Sequence, residues 1–265
     1  MKHIVSFSGG MGSFAEAYAC VEAFGKENVL LLFADTLMED EDLYRFKDEV
    51  VSFLGCEIIT LCYGLNIWEL FKKEKFIGNS RLDICSRVLK RTLLNDYIVK
   101  NYTAINKELP YPNIIYNCNV HLGIDFSEYH RLTEVQRHMA PMIYRSLLVE
   151  NGIIVPKDYS EKFGIKKPRL YSLGFSHNNC GGFCVKAGLG HFKLLFEKMP
   201  ERYAWHEQQE QETIAIGGRP FLKKTHTGVI EYISLKKYRL KFLEPGLAEE
   251  YTYDIGGCSC ALPLD

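Results

Sequence analysis

The 265-residue sequence has no uninterrupted apolar stretch of membrane-spanning length. Its opening residues run straight into a strand-like segment, without the charged, apolar and small-residue blocks of a secretion signal. These two absences predict a cytoplasmic chain with no membrane partner. A charge excess is also missing: 32 Lys and Arg stand against 33 Asp and Glu, a net charge of −1. No global field therefore advertises nucleic acid, and local basic stretches such as Lys166-Lys167-Pro168-Arg169 and Lys223-Lys224 read as solvated faces. Internal repeats and low-complexity segments are absent too. The 47% hydrophobic and 25% charged content is that of an ordinary globular protein, long enough for one large domain or one and a half. Nine cysteines, an odd number with no secretion signal, argue against a disulfide framework and for reduced thiols, catalysis or metal.

Two common phosphate loops are missing as well. No lysine precedes Ser13 to complete a Gly-x-x-x-x-Gly-Lys-Ser/Thr loop, and Gly-x-Gly-x-x-Gly does not occur at this point. What stands there is Ser6-Phe7-Ser8-Gly9-Gly10-Met11-Gly12-Ser13, between the strand-like His3–Phe7 and a helical pattern from Ser13. Glycines admit close backbone approach, and the N–H groups of a first helical turn point at an anion, aided by the helix dipole. Ser8 and Ser13 add hydroxyls, and Ser13 is a candidate helix cap. Taken alone, the same loop also reads as an ordinary strand-to-helix turn.

Through the first half, apolar runs alternate with amphipathic ones. Strands are expected at 3–7, 29–34, 57–61 and 113–117, with helices at 13–25 and 40–54 and a helix-rich stretch from 66 to 101. Apolar strands separated by helices predict an α/β fold with a doubly wound, mostly parallel sheet covered on both faces. Ligands on such sheets bind beyond the carboxyl ends of the strands, where Ser8, Asp35 and Gly123 all fall. After residue 140, Pro141, Pro156 and Pro168 punctuate short helical pieces. The expected division is a nucleotide-binding domain at 1–140 and a helical, cysteine-containing extension at 141–265 packed on it.

The Ser-Gly-Gly-x-x-Ser loop resembles the pyrophosphate loop of the PP-loop ATP pyrophosphatase superfamily, and later segments narrow the resemblance to its PAPS reductase-like family. Ala34-Asp35-Thr36, followed by Glu39-Asp40-Glu41-Asp42 and Tyr44-Arg45-Phe46, looks like that family's Asp-Thr strand end and acidic-aromatic helix. Cys85-Ser86-Arg87-Val88-Leu89-Lys90 looks like its Cys-x4-Lys helix start, and Gly123-Ile124-Asp125 with Glu128 and Arg131 like its Gly-Ile-x-x-x-Glu-x-x-Arg segment. One position departs: Gly12 stands where many pyrophosphatases carry an aspartate. The resemblance implies a HUP-like domain that contacts ATP through Ser6, Ser8, Gly9, Gly10, Gly12, Ser13, Asp35 and Gly123. It implies Lys90 and Arg131 on the phosphates, Mg²⁺ on the leaving pyrophosphate, and Asp35 or Asp125 on metal or ribose.

The second informative feature is a pair of glycine-set cysteine motifs, Cys180-Gly181-Gly182-Phe183-Cys184 and Gly256-Gly257-Cys258-Ser259-Cys260. Four thiolates from Cys180, Cys184, Cys258 and Cys260 suit one metal centre, a [4Fe–4S] cluster or a Cys₄ Zn²⁺. The one-residue spacer at 258–260 is tight for zinc, and the resemblance raises the cluster above it. Free thiols, or a redox pair with a reactive tail cysteine, remain open. Cys20, Cys56, Cys62 and Cys118 read as small hydrophobes, while Cys85 begins a helix, where a thiol pKa falls. Three functions follow as expectations. The first is adenylation of an acceptor (a small molecule or a nucleic acid) for sulfur transfer from a donor. The second is sulfonucleotide (PAPS or APS) reduction by a tail cysteine. The third is a non-enzymatic nucleotide-binding module with a structural metal.

Overall fold

A computed structural model of the chain describes residues 1–79, 81–106, 108, 113–226 and 229–253. Three apolar runs, β1 (Lys2–Ser6), β2 (Val29–Asp35) and β3 (Glu57–Cys62), open the sheet. A hairpin of β4 (Thr103–Ile105) and β5 (Ile114–Tyr116) precedes β6 (Cys118–Leu122) and β7 (Tyr144–Arg145). The central sheet has the order β3-β2-β1-β6-β7, and every neighbouring pair in it is parallel. The order therefore reverses between β1 and β6, the place where an open parallel sheet leaves a crevice beyond its strand ends.

Helices cover both faces because alternate strand residues point to opposite sides. Val5, Leu31 and Phe33 pack under α1 (Met11–Phe24) and α2 (Glu41–Leu54) through Phe14, Ala17, Phe46 and Val50. Their neighbours Ile4, Leu30 and Leu32 face Ile98 on the opposite side. Local sequence sets the helix ends. Asp40 caps α2 and Gly55 stops it in the left-handed conformation, while Asn66 and Glu69 form a capping box on α3 (Ile67–Glu74). A short α4 (Ile84–Ser86) runs into a π-helical turn, Arg87–Thr92, and then into α5 (Leu93–Tyr102), which carries Ile98.

Beyond β6 come α6 (Tyr129–Met139), α7 (Leu147–Glu150), α8 (Arg169–Ser172), α9 (Leu189–Lys198) and α10 (Pro200–Ala215). The hairpin β8 (Leu222–His226) and β9 (Val229–Ile233) and the short α11 (Leu235–Tyr238) follow. A second core joins these elements to the first half: Trp68 and Phe71 of α3 pack with Phe175, Phe183, Phe192, Tyr203 and Tyr238. No helix of the described residues is long and apolar enough to cross a membrane.

Three expectations need correction. The run 113–117 belongs to the antiparallel β4–β5 hairpin, and the fourth strand of the sheet is Cys118–Leu122. Polar Asn119 and His121 break the apolar look of that strand, yet all five residues are buried. His121 is satisfied there, its ring bonding His3 at 3.0 Å and Glu16 at 2.9 Å. The sheet also continues past residue 140, since β7 pairs with β6. Finally, the later segment is not purely helical, because it contains the β8–β9 hairpin.

Candidate functional site

The crevice at the β1–β6 reversal opens into a cavity of about 450 Å³. The loop after β1, the π-helical turn with α5, the turn from β6 into α6 and residues 171–179 wall it, together with Leu32 and Ala34 of β2 and Tyr144 of β7. Ser6, Ser8, Gly10, Gly12, Ser13, Gly123, Lys90 and Arg131 all line it.

Backbone packing explains the glycines. Gly9 has φ +74°, and a Cβ there would lie 2.7 Å from the Leu43 side chain. Gly12 and Gly123 meet backbone to backbone: a Cβ on Gly12 would stand 2.4 Å from Gly123 O, and one on Gly123 would stand 2.4 Å from Ser13 N. The two motifs, 111 residues apart in sequence, are thus pressed into one surface by their lack of side chains. Gly12, the departure from the pyrophosphatase pattern, leaves no room for the aspartate found elsewhere.

The loop is tied down on every side. Ser13 Oγ donates to Gly10 O at 2.8 Å and accepts from Ser8 N–H at 3.2 Å. Tyr171 Oη accepts from Met11 N–H at 3.1 Å, and Asn178 Nδ2 donates to Gly9 O at 2.9 Å. Gly10 offers α1 no side-chain cap, so its remaining first-turn amides are left for an anion. Asn178 is 1% exposed, and its Oδ1, buried at the cavity wall, has no partner among the described residues. A buried acceptor of that kind calls for a donor from whatever fills the space.

Polarity changes along the cavity. The α5 side presents Lys90, Arg91, Leu94, Asn95 and Ile98, cationic at the loop end and mostly apolar beyond. The α6 side repeats the gradient with Arg131, then Val135 and Met139. Arg131 donates to Glu128 at 2.6 Å, and its buried Nε has no partner among the described residues. His177 also lines the wall. Burial, then the neighbouring His191, Lys90 and Lys157, pushes its pKa down to about 3, and it accepts from Asn179 N–H at Nδ1. It is therefore a neutral imidazole with its proton on Nε2.

Lys90 faces a second, smaller cavity, lined also by Thr36, Asp83, Cys85, Cys180 and Cys184. Its ammonium lies 3.5 Å from Cys180 Sγ and 3.6 Å from Glu39. Glu39, nearly buried, also accepts from Thr36 Oγ1 at 2.9 Å and from Cys180 N–H at 2.6 Å. It holds the cysteine loop against the end of β2. Cys180 itself has φ +52°, a strained conformation for a side-chain-bearing residue, with Gly181 following at φ +58°. Cys258 and Cys260 lie outside the described residues. Among the described residues, Cys85 lines the same small cavity as Cys180 and Cys184.

Two expected carboxylates are not brought to the cavity wall. Asp125 accepts from Ser127 N–H, Ser127 Oγ and Val155 N–H, so it shapes the turn into α6. Asp35 accepts from Leu37 N–H and Tyr44 Oη at the end of β2. Glu128 is the sole carboxylate on the cavity wall among the described residues, and Arg131 holds it. These residues do not form a magnesium cage.

The thiol set can be tested against metal in the same way. Tetrahedral zinc would bring sulfurs within about 3.8 Å of one another. Among the described residues, the one trio of potential ligands with atoms within 4.8 Å of each other is Glu16, Cys20 and His121. Cys85, Cys180 and Cys184 line one small cavity but are not such a trio. The Glu16 group is already hydrogen-bonded: the carboxylate accepts from Ser146 Oγ and from the N–H groups of Leu147 and Leu148.

Sequence reasoning did not single out Glu39, Tyr171 or Asn178. The His177 ring, close in sequence to the first cysteine pair, faces the large cavity. No protein-family model matches the chain, and no curated protein is similar enough to count as a relative.

Proposed function

We propose that this chain is a PP-loop enzyme with a HUP-like domain that binds ATP, cleaves it between the α- and β-phosphates and adenylates an acceptor for sulfur transfer. The polarity of the 450 Å³ cavity carries this reading. Open helix amides, two serine hydroxyls, Lys90 and Arg131 gather at one end, and apolar side chains line the other, which is the polarity of a nucleotide. The resemblance of the loop, the Asp-Thr strand end, the Cys-x4-Lys helix start and the Gly-Ile segment to the PAPS reductase-like family supports the choice of adenine nucleotide.

In this reading the loop N–H groups and Ser8 hold the pyrophosphate, while Lys90 and Arg131 stabilise charge as the acceptor oxygen attacks the α-phosphorus. Neutral His177 donates from Nε2 and Asn178 accepts at Oδ1, orienting the nucleotide between them. Cys85, Cys180 and Cys184 are the described residues that would hold a [4Fe–4S] cluster, which supplies a site for sulfide when bound. A second reading, sulfonucleotide reduction, has its own observation: Cys180 Sγ beside Lys90, an ammonium that favours thiolate.

Chromatography of reaction products separates the two. Adenylation releases pyrophosphate from ATP with Mg²⁺ and leaves the AMP moiety on the acceptor, and free AMP follows when sulfur from a donor displaces it. Reduction releases sulfite from adenylyl sulfate and a thiol donor without ATP. Stoichiometric ADP would exclude both.

A further inference from the structure

Charge is unevenly placed along this chain. From Arg219 to Lys241 it carries seven Lys or Arg and one acid, Glu231, while the remaining residues carry 25 Lys or Arg and 32 Asp or Glu. A segment of +6 therefore sits on a body of −7. The fold gathers that charge, because the segment is the β8–β9 hairpin followed directly by α11 and a π-helical turn, Arg239–Leu243. Strand and helix share one electrostatic neighbourhood. The Glu231 carboxyl is held below its ordinary range first by a hydrogen bond from Lys237, and further by the charges of Lys224 and Lys241.

Little of this charge is neutralised. Arg239 is engaged by Glu207 and Glu244, and Lys237 by Glu231. Arg219, Lys223, Lys236 and Lys241 are exposed and make no ion pair among the described residues. The register of the hairpin sorts its two faces. Leu222 and Ile233 are paired and buried against the core, whereas Lys223 opposite Tyr232 and Thr225 opposite Ile230 share the outer face. Tyr232 is 41% exposed there, an aromatic ring with a lysine directly across the strand.

A cation beside an exposed ring and repeated positive charge select a polyanion that also offers flat apolar faces, and the negative remainder of the molecule confines it to this segment. We infer that the β8–β9 hairpin and the helix after it bind single-stranded nucleic acid, with Lys223, Lys236 and Lys241 holding phosphates and Tyr232 stacking on an unpaired base. This site is separate from the nucleotide cavity and does not depend on what fills that cavity. It uses side chains free of the core, so it can be altered without unfolding the chain.

The test is fluorescence anisotropy of labelled single-stranded DNA and RNA oligonucleotides with the full chain over a salt series. Wild-type affinity should fall as salt rises. Lys223→Glu, Lys236→Glu and Lys241→Glu combined should weaken binding more than tenfold and flatten the log–log salt slope by about 2. Tyr232→Ala should weaken binding at least about fivefold at every salt concentration and leave the slope unchanged. A matched triple reversal elsewhere, Lys26→Glu, Lys75→Glu and Lys100→Glu combined, should retain wild-type affinity, and melting temperatures should be unchanged throughout. Absent wild-type binding, equal loss in the matched control, or an intact triple variant would overturn the assignment. So would binding to phosphatidylserine vesicles in place of oligonucleotides, which would give the surface to a membrane.

Discussion

Gly10 is the one glycine of the loop between Gly9 and Gly12 whose surroundings admit a side chain. Its backbone lies outside the left-handed region, and an added Cβ meets only Tyr171 Oη at 3.4 Å and Ser8 Oγ at 3.5 Å. Gly9 and Gly12 would collide with Leu43 and with Gly123, so substituting them confounds binding with folding. Gly10→Val should therefore fold with a near-normal melting temperature while its methyls occupy the phosphate end of the cavity. Titration calorimetry should show the affinity for ATP and AMP falling at least tenfold. Undiminished binding by the folded variant would remove the loop from the site. At this scale the sequence was informative where chemistry was local. Ser8 and Ser13 announce themselves by residue type within the glycine loop, Lys90 and Arg131 through the resemblance to the PAPS reductase-like family, and all four line the cavity. Asp35 and Asp125 announced themselves equally well but are occupied by neighbouring N–H and O–H groups, a demand that spacing does not reveal. Glu39 lay hidden within an acidic run because its partners, Lys90 and Cys180, lie 51 and 141 residues away.

Elements with strong periodicity were legible to within two residues: β1, β2 and β3 as strands, and α1 and α2 as helices. Those whose register depends on distant partners were not. Strand β6 carries Asn119 and His121, and it became a core strand only because Glu16 reaches it from α1. That glutamate, fully buried, also ties α1 to α7 by accepting from Ser146 Oγ and the N–H groups of Leu147 and Leu148. The single Ser146 hydroxyl proton is shared between that carboxylate at 3.1 Å and Ile124 O, next to Gly123, at 2.6 Å. One carboxylate thus fixes the N-terminus of α7 and supports the turn that touches the phosphate loop. Glu16→Ala leaves several buried donors without an acceptor, a loss of about 3–5 kcal/mol. Urea unfolding should show it as a lower midpoint with an unchanged slope. A change below about 1 kcal/mol would mean that water replaces the carboxylate and that the tie is incidental.

Across the whole molecule, buried ionisable groups set opposing pH limits on stability. Burial, then the neighbouring charges of His121, Arg145 and the N-terminus, lowers the His3 pKa to about 4; burial also lowers His191 and, more strongly, His206. These rings are neutral when folded, so their contribution is complete above the ordinary histidine value of 6.5. It is lost as pH falls from there toward the folded values. Glu210 works in the other direction. Burial, opposed by a hydrogen bond from Leu235 N–H, pushes its pKa up to about 8 from an ordinary 4.5, so the folded chain keeps a proton that the unfolded chain releases. Its contribution is complete below 4.5 and declines as pH rises through 8. The residue is fully buried, and Oε2 accepts from Leu235 N–H at 2.6 Å while Oε1 has no partner among the described residues. A neutral amide can keep the Leu235 bond and carries no charge to bury. Glu210→Gln should therefore match wild type at pH 4.5 and exceed it increasingly toward pH 8. At about 1.4 kcal/mol per pKa unit, the gain there should reach a few kcal/mol. Urea unfolding of both proteins at the two pH values measures the difference, and an equal effect at both would mean that Glu210 is ionised in the folded chain.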